Sequence, residues 1–330
     1  MDTRRIGRSG IQVAPLGMGC WAIGGPFRYL DIEAGWGAAD DAESLRAIDA
    51  ALAAGITLFD TAAAYGTGHS ETLLGRALAG RRASAVIATK FGFQIDPSAR
   101  HVGRFVDRSQ IVATAREACE QSLRRLNTDV IDLFQLHDGE MPLELVDDLL
   151  AVLEALVAAG KIRAYGWSTD SVEAARAFAA GPHCAAIQHD LNVVLDAPRM
   201  LALCAELDLA SVNRTPLARG ALTGKYTPAS IFPVDDVRND PWAQANILRP
   251  AYDHLEALRA ILTSGGRTLS QGALAWIWAR SGVAIPIPGM RTARQVEENA
   301  GALTLGPLTP AQLREIDALL GRMDPAATRA

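Results

Sequence analysis

The chain has 330 residues, 49% of them hydrophobic and 21% charged, enough for one large core or two ordinary ones. A formal net charge of −5 argues against a nucleic-acid partner, and without about 18 apolar residues free of charge or proline no membrane span is expected. Cys20, Cys119, Cys184 and Cys204 lie far apart without metal-ligand spacing, and the polar opening MDTRRIGRSG has no signal-like apolar core, so the cytoplasm is expected.

RRIGRSGIQV predicts a hairpin turning at residues 8–10, and residues 14–20 a first short strand. Residues 41–54 carry apolar positions at helical spacing and stop at Gly55. ITLFD is a second strand, and a helix begins at Ser70, with Glu71, Leu74 and Leu78 following. AVIATKFG is a third strand at 85–92, ahead of a long amphipathic helix over 109–126. VIDLFQLH is a fourth at 130–137, followed by a helix at 142–159. KIRAYGWS, AAIQHD and LASVNRTP predict three more strands, separated by helices near 171–180 and 197–207. VAIPIPG, 283–289, is the eighth, with helices at 292–302 and 310–319 after it.

Strands alternating with helices and no polar linker predict a single (β/α)8 barrel, an α/β fold, over residues 1–330. A doubly wound sheet is the alternative, but no GxGxxG follows the first strand. Three connections, 24–40, 93–108 and 226–250, are long enough to be lids or pocket walls. Their aromatics Phe27, Trp36, Phe105 and Trp242 suit a small apolar substrate, while the loop charges Arg28, Asp31, Arg104 and Asp107 equally suit a polar one.

A barrel of this kind does its chemistry where the strands end at the C-terminal face. The polar residues at those ends are Asp60 with Tyr65 just beyond it, Lys90, His137, Ser168 and Thr169, Gln188, and residues 213–215. A lone lysine at such a place is usually a solvated rim charge, a lone histidine a satisfied structural group, and a tyrosine after a turn is usually packing. Four such groups on successive strands of one face point to chemistry. An ordinary tyrosine titrates near pH 10, too high for an efficient acid at neutrality. A neighbouring Lys90 is expected to lower that value, with Asp60 holding Lys90 charged and His137 donating to the oxygen that Tyr65 protonates. Together they would clamp a carbonyl oxygen as it becomes an alkoxide. No serine or cysteine constellation offers a nucleophile, and a Schiff-base role for Lys90 conflicts with a neighbouring carboxylate, so hydride from a nicotinamide fits best.

FDTAAAYGTGHSETLLGRAL, VIATKFG, IDLFQLH, YGWST, TPLARGALTGKY and IPIPGMRTARQVEENAGAL resemble, in order, the successive signatures of the aldo-keto reductases, from about Gly17 to Leu303. The resemblance implies an NADP(H)-dependent barrel enzyme that interconverts carbonyl compounds and alcohols, with Asp60, Tyr65, Lys90 and His137 as catalytic tetrad and Tyr65 as general acid. It implies that Ser168, Thr169 and Gln188 hold the nicotinamide carboxamide, with Gly19, Cys20, Trp21 and Asp60 also against the cofactor. Thr215, Pro216, Leu217, Ala218, Arg219, Gly220 and Lys225 would lie beneath the pyrophosphate. Gly289, Met290, Arg291, Gln295, Glu298 and Asn299 would surround the adenosine and its 2′-phosphate, at a helix start that favours an anion. Trp21, Phe27, Trp36, Tyr65 and His137 would contact a small-molecule carbonyl or alcohol substrate. Arg214, in NRTP, stands where many members carry an aromatic that stacks on the nicotinamide. A cation there disfavours the oxidised ring, so Arg214 is expected to reach the pyrophosphate or favour reduced cofactor. Trp167 replaces a commoner small residue and is expected to pack among the core helices. Some members bind NADPH and serve chiefly as partner proteins, but the intact tetrad favours turnover.

Overall fold

The computed structural model describes residues 3–322. The predicted domain span and the polar amino terminus therefore include residues 1–2 and 323–330, which lie outside the described residues. Eight parallel strands form one sheet: Met18–Gly19 (β1), Leu58–Asp60 (β2), Val86–Phe91 (β3), Ile131–Leu136 (β4), Ile162–Ser168 (β5), Cys184–Asp190 (β6), Ala210–Arg214 (β7) and Ala284–Pro286 (β8). Each pairs with the next in chain order, with helices carrying the chain from one parallel strand to the next. The sheet closes on itself: Gly17 N–H donates to the Pro286 carbonyl at 3.0 Å and Gly19 N–H to that of Pro288 at 2.9 Å. The predicted barrel is the observed one.

Alternation along the strands sorts the apolar residues into two cores. Leu58, Ala88, Leu133, Ala164, Ala186, Ala210, Val212 and Ile285 form an inner cluster, half of it alanines that fit a narrow barrel. The predicted hairpin, Arg4–Arg5 paired antiparallel with Gln12–Val13, adds Ile6, Ile11 and Val13 to that cluster. It plugs the end where strands begin, since Arg8 N–H donates to the Asp208 carbonyl just ahead of β7. Outward-facing residues such as Phe59, Ile87, Phe134, Trp167 and Ile187 belong to the larger core. Trp167 is fully buried there, its indole donating to the Asp138 carbonyl at 2.9 Å and its ring 5.2 Å from Phe178, as its position predicted.

The helices fall within a few residues of the expected bounds, from Asp41–Ala53 to Pro310–Leu319. Two differences concern the long connections. Those over 24–40 and 93–108 fold together into a second sheet, in the order Ile32–Glu33, Arg28–Tyr29, His101–Gly103, Gln94–Asp96. The segment 226–250 turns at Val237–Asn239 and Pro241–Ala243 and runs into helix Arg249–Leu262. Helix Leu269–Arg280, with nine buried residues, then leads to β8. Among the described residues no helix is long and apolar enough to cross a membrane.

Candidate active site

β2 ends at Asp60, and three buried alanines, Ala62 to Ala64, carry the chain to Tyr65. The turn holds because Gly66 takes φ +59°, and because an added Cβ there would sit 1.8 Å from the Gly24 carbonyl oxygen. Only glycine satisfies both demands. Ala63 N–H donates to the Lys90 carbonyl, binding the turn to β3. The small side chains leave Tyr65 room to lean back over the strand ends, stacked on Trp21 at 5.9 Å.

The four strand-end groups meet. Lys90 Nζ donates to Asp60 Oδ1 at 2.5 Å, to the Thr61 carbonyl at 2.9 Å and to the Tyr65 hydroxyl at 3.1 Å. The His137 ring lies edge-on to Tyr65 at 5.7 Å and against Phe93 at 5.0 Å. Asp60 is held from its other oxygen by Gln188 at 2.8 Å and by Gln135 at 3.1 Å. Gln135 escaped the sequence reading, although its place two residues before His137 on an inward-facing strand position marks it. Lys90 is wholly buried and does not line the cavity, which Asp60 and Tyr65 beside it do.

The electrostatics follow. Burial works against the Lys90 charge, but Asp60 and Tyr65 outweigh it and hold its pKa above the ordinary value. That is the opposite of what a Schiff-base nucleophile needs. Tyr65 corrects the expectation: burial raises its pKa, and the opposing pull of Lys90 does not overcome that. The phenol is therefore protonated throughout the neutral range, with a cation placed to favour the phenolate once a proton leaves. Burial, with Lys90 and Arg214 nearby, holds His137 well below its usual value, so it is neutral and available as a donor.

These groups lie on the floor of a cavity of about 850 Å³ at the C-terminal face. Its lining contains the predicted Gly19, Trp21, Phe27, Trp36, Ser168, Thr169, Gln188, Thr215 to Leu217, Arg219, Gly220, Lys225, Gly289, Arg291, Gln295, Glu298 and Asn299. Three expected contacts differ: the Cys20, Ala218 and Met290 side chains are fully buried in the main core and do not line it, leaving at most their backbone to a ligand. Phe105 likewise packs on the main core rather than walling the cavity. Trp242 lines it and is 57% exposed.

Arg214 is neither free to stack nor aimed at solvent. Its Nε donates to Asp190 at 2.9 Å, its Nη1 to the Ser168 hydroxyl at 2.8 Å, and its Nη2 to Asp170. Asp170 and Asp190, absent from the sequence reading, thus hold the guanidinium at the ends of β5 and β6. Lys225 pairs with Glu298 at 3.1 Å, and Arg291 Nη1 donates to the Trp36 carbonyl at 2.8 Å. Arg219 is held less firmly: burial pushes its pKa down, its Nη1 donates to the Val237 carbonyl at 3.3 Å, and among the described residues its buried Nε has no hydrogen-bond partner. Thr215, Ala218, Arg219 and Gly220 all have positive φ, so the loop presents a backbone of the kind that cradles anions.

Residues 15–320 match the family model described as the aldo/keto reductase family. The chain is similar to "Aldo-keto reductase YhdN" of Bacillus subtilis (strain 168), 35% identical over 307 residues that cover 90% of this chain and 87% of the relative. Its fold is similar to that of the glycerol dehydrogenase AKR11B4 from Gluconobacter oxydans, with a TM-score of 0.80, 32% identity and 98% of each chain covered. A Klebsiella pneumoniae aldo-keto reductase solved in complex with NADPH superposes with a TM-score of 0.71 at 25% identity, over 98% of this chain and 97% of the other. With the family model spanning nearly the whole barrel, this chain belongs to the aldo/keto reductase family.

Proposed function

We propose that this protein is an NADP(H)-dependent enzyme that reduces aldehydes and ketones to alcohols, reversibly, with Tyr65 as the general acid. The observation that carries the reading is the Lys90–Tyr65 contact of 3.1 Å, backed by Asp60, on the floor of a cavity large enough for a dinucleotide and a small carbonyl compound. One barrel domain over residues 1–330 carries the activity, and four free, buried cysteines fit a reducing compartment such as the cytoplasm.

The residues present fit the cofactor. Arg219, half-buried and incompletely bonded, is a cation that a diphosphate would satisfy, and Lys225 stands on the same loop. Arg291, at the entry to helix Ala293–Leu305, suits the 2′-phosphate, with Gln295, Glu298 and Asn299 for the adenosine. Ser168, Thr169 and Gln188 suit the carboxamide. Arg214 donates to the Ser168 oxygen, which leaves the hydroxyl proton to point at an acceptor. When bound, the reduced nicotinamide supplies the hydride.

The chain's own part is proton donation and charge control. Neutral His137 and the Tyr65 hydroxyl both donate to the carbonyl oxygen and polarise it. Tyr65 gives up its proton as that oxygen gains charge, and Lys90 stabilises the phenolate left behind. Asp60 keeps Lys90 charged and, through Gln135 and Gln188, fixed in place. Aromatic rings of Trp21, Phe27, Trp36 and Phe93 exclude water from the polarised carbonyl.

Tyr65→Phe keeps the ring and removes the proton. The expected result is an NADPH dissociation constant within about twofold of wild type and a kcat for carbonyl reduction lower by about 100- to 10,000-fold. Full activity in the variant would remove Tyr65 from its role. NADPH binding with no reduction across a broad panel of carbonyl compounds would favour a cofactor-sensing partner protein instead.

A further inference from the structure

Of the four loop charges open at the sequence level, Arg28, Asp31, Arg104 and Asp107, only Arg104 lines the cavity. A continuous path of contacts leads to it from the reacting end. His137 lies 5.0 Å from Phe93, Phe93 lies 5.3 Å from Tyr29, and the Tyr29 hydroxyl accepts from Arg104 Nε at 2.8 Å. Phe27, Ile32 and Val102 complete the apolar wall beside this path. Tyr29, Ile32 and Val102 of this wall stand on the small second sheet.

The charges around Arg104 are unequal in commitment. Asp138 is fully buried, 4.0 Å from Arg104, and engaged with Arg108 at 2.5 Å. Glu140 accepts from Arg104 Nη1 at 2.5 Å, but its side chain is 71% exposed. Among the described residues, Arg104 Nη2 donates no hydrogen bond. An exposed pair of this kind is weak and easily exchanged. A planar guanidinium with one replaceable counter-ion and a spare donor is suited to a carboxylate.

We propose that the preferred substrates are carbonyl compounds whose aromatic or apolar body ends in a carboxylate, and that Arg104 selects them. The inference rests on the carbonyl-reducing reading of the site. The reacting carbonyl lies at Tyr65 and His137, the body runs along Phe93 and Tyr29, and the carboxylate takes the place of Glu140 on Arg104. Glu140 is then a built-in competitor: neutral substrates leave it in place, while anionic ones displace it. Hydride goes to the carbonyl carbon and the proton to its oxygen, and the carboxylate is unchanged.

The test compares 3- and 4-carboxybenzaldehyde with their methyl esters, and with benzaldehyde, by NADPH oxidation. The expected wild-type kcat/KM favours the acids by about tenfold or more, the scale of a charge-assisted hydrogen bond. In Arg104→Met the acid-to-ester ratio of kcat/KM falls to about one, the acids losing more than the esters. Glu140→Gln, which retains Arg104, should raise the preference severalfold through KM rather than kcat. Equal handling of acids and esters by the wild type, or a preference that survives Arg104→Met, overturns the inference. Reduction of benzaldehyde with the acids inert overturns it too, yet leaves the carbonyl-reducing reading standing. All five inert while other members of the broad carbonyl panel are reduced overturns the inference alone; all five and the whole panel inert with NADPH fails that reading, and the inference falls with it.

Discussion

Lys90 carries its charge with no exposed surface, which is stable only because Asp60, the Thr61 carbonyl and Tyr65 take its three protons. Removing one partner of such a pair leaves the other buried and uncompensated. Lys90→Met should therefore lower unfolding free energy by about 3–5 kcal/mol in urea titration, and the added change Asp60→Asn should return most of that. Activity should not return with stability in the double variant, because Tyr65 would still lack its cation. Recovery of both would mean the pair is structural. At this scale the sequence named Asp60, Tyr65, Lys90 and His137, since each ends or closely follows an apolar run. It missed Gln135, Asp170 and Asp190, whose parts depend on which neighbour they face. It also misjudged the Tyr65 pKa, because the depth of burial that raises it is a property of packing.

At the scale of elements, the turn from β2 to helix His69–Ala77 places the phenol. Its narrow point is the crossing of Gly24 and Gly66. Gly66→Ala would combine a strained φ with a Cβ 1.8 Å from a carbonyl oxygen. The expected loss is about 2–4 kcal/mol, measured by denaturant unfolding, with reduction activity falling because Tyr65 shifts. A variant as stable and active as wild type would show that the turn tolerates rearrangement. The strands and most helices were legible because the chain alternates apolar runs with amphipathic spacing and ends helices at glycines such as Gly55. The second sheet was not. Its strands are two or three residues long, too short for a period, and they pair only because two remote loops are brought to the same rim, Arg28 opposite His101.

For the whole molecule, stability should depend on acid through histidines buried outside bulk water. Burial pushes His189 down to about 4, and its ring is bonded to the Ser211 hydroxyl and the Asp190 carbonyl. The unfolded chain takes up this proton below about pH 6.5, whereas the folded chain resists it until about pH 4. Stability is therefore full above about pH 6.5 and falls as pH drops toward 4, with His137 adding a loss of the same sign. By pH 5 the His189 share is about 2 kcal/mol, from these two pKa values. Urea unfolding at pH 8 and pH 5 should show a pH dependence smaller by about that amount in His189→Asn. An unchanged dependence would place the acid-sensitive groups elsewhere.

The amino-acid sequence alone specifies the alternation of strand and helix, and with it the barrel. It also determined which residues stand at strand ends, because both follow from local periodicity. Closure of the sheet then brings Asp60, Lys90, Gln135 and Gln188 from four strands into one hydrogen-bonded set. The closed fold sets how strongly each group is buried, which acids restrain Arg214, and that Arg104 alone of the four loop charges reaches the cavity. Those outcomes depend on distances between segments remote in the chain. Local pattern carries no information about such distances until the barrel closes.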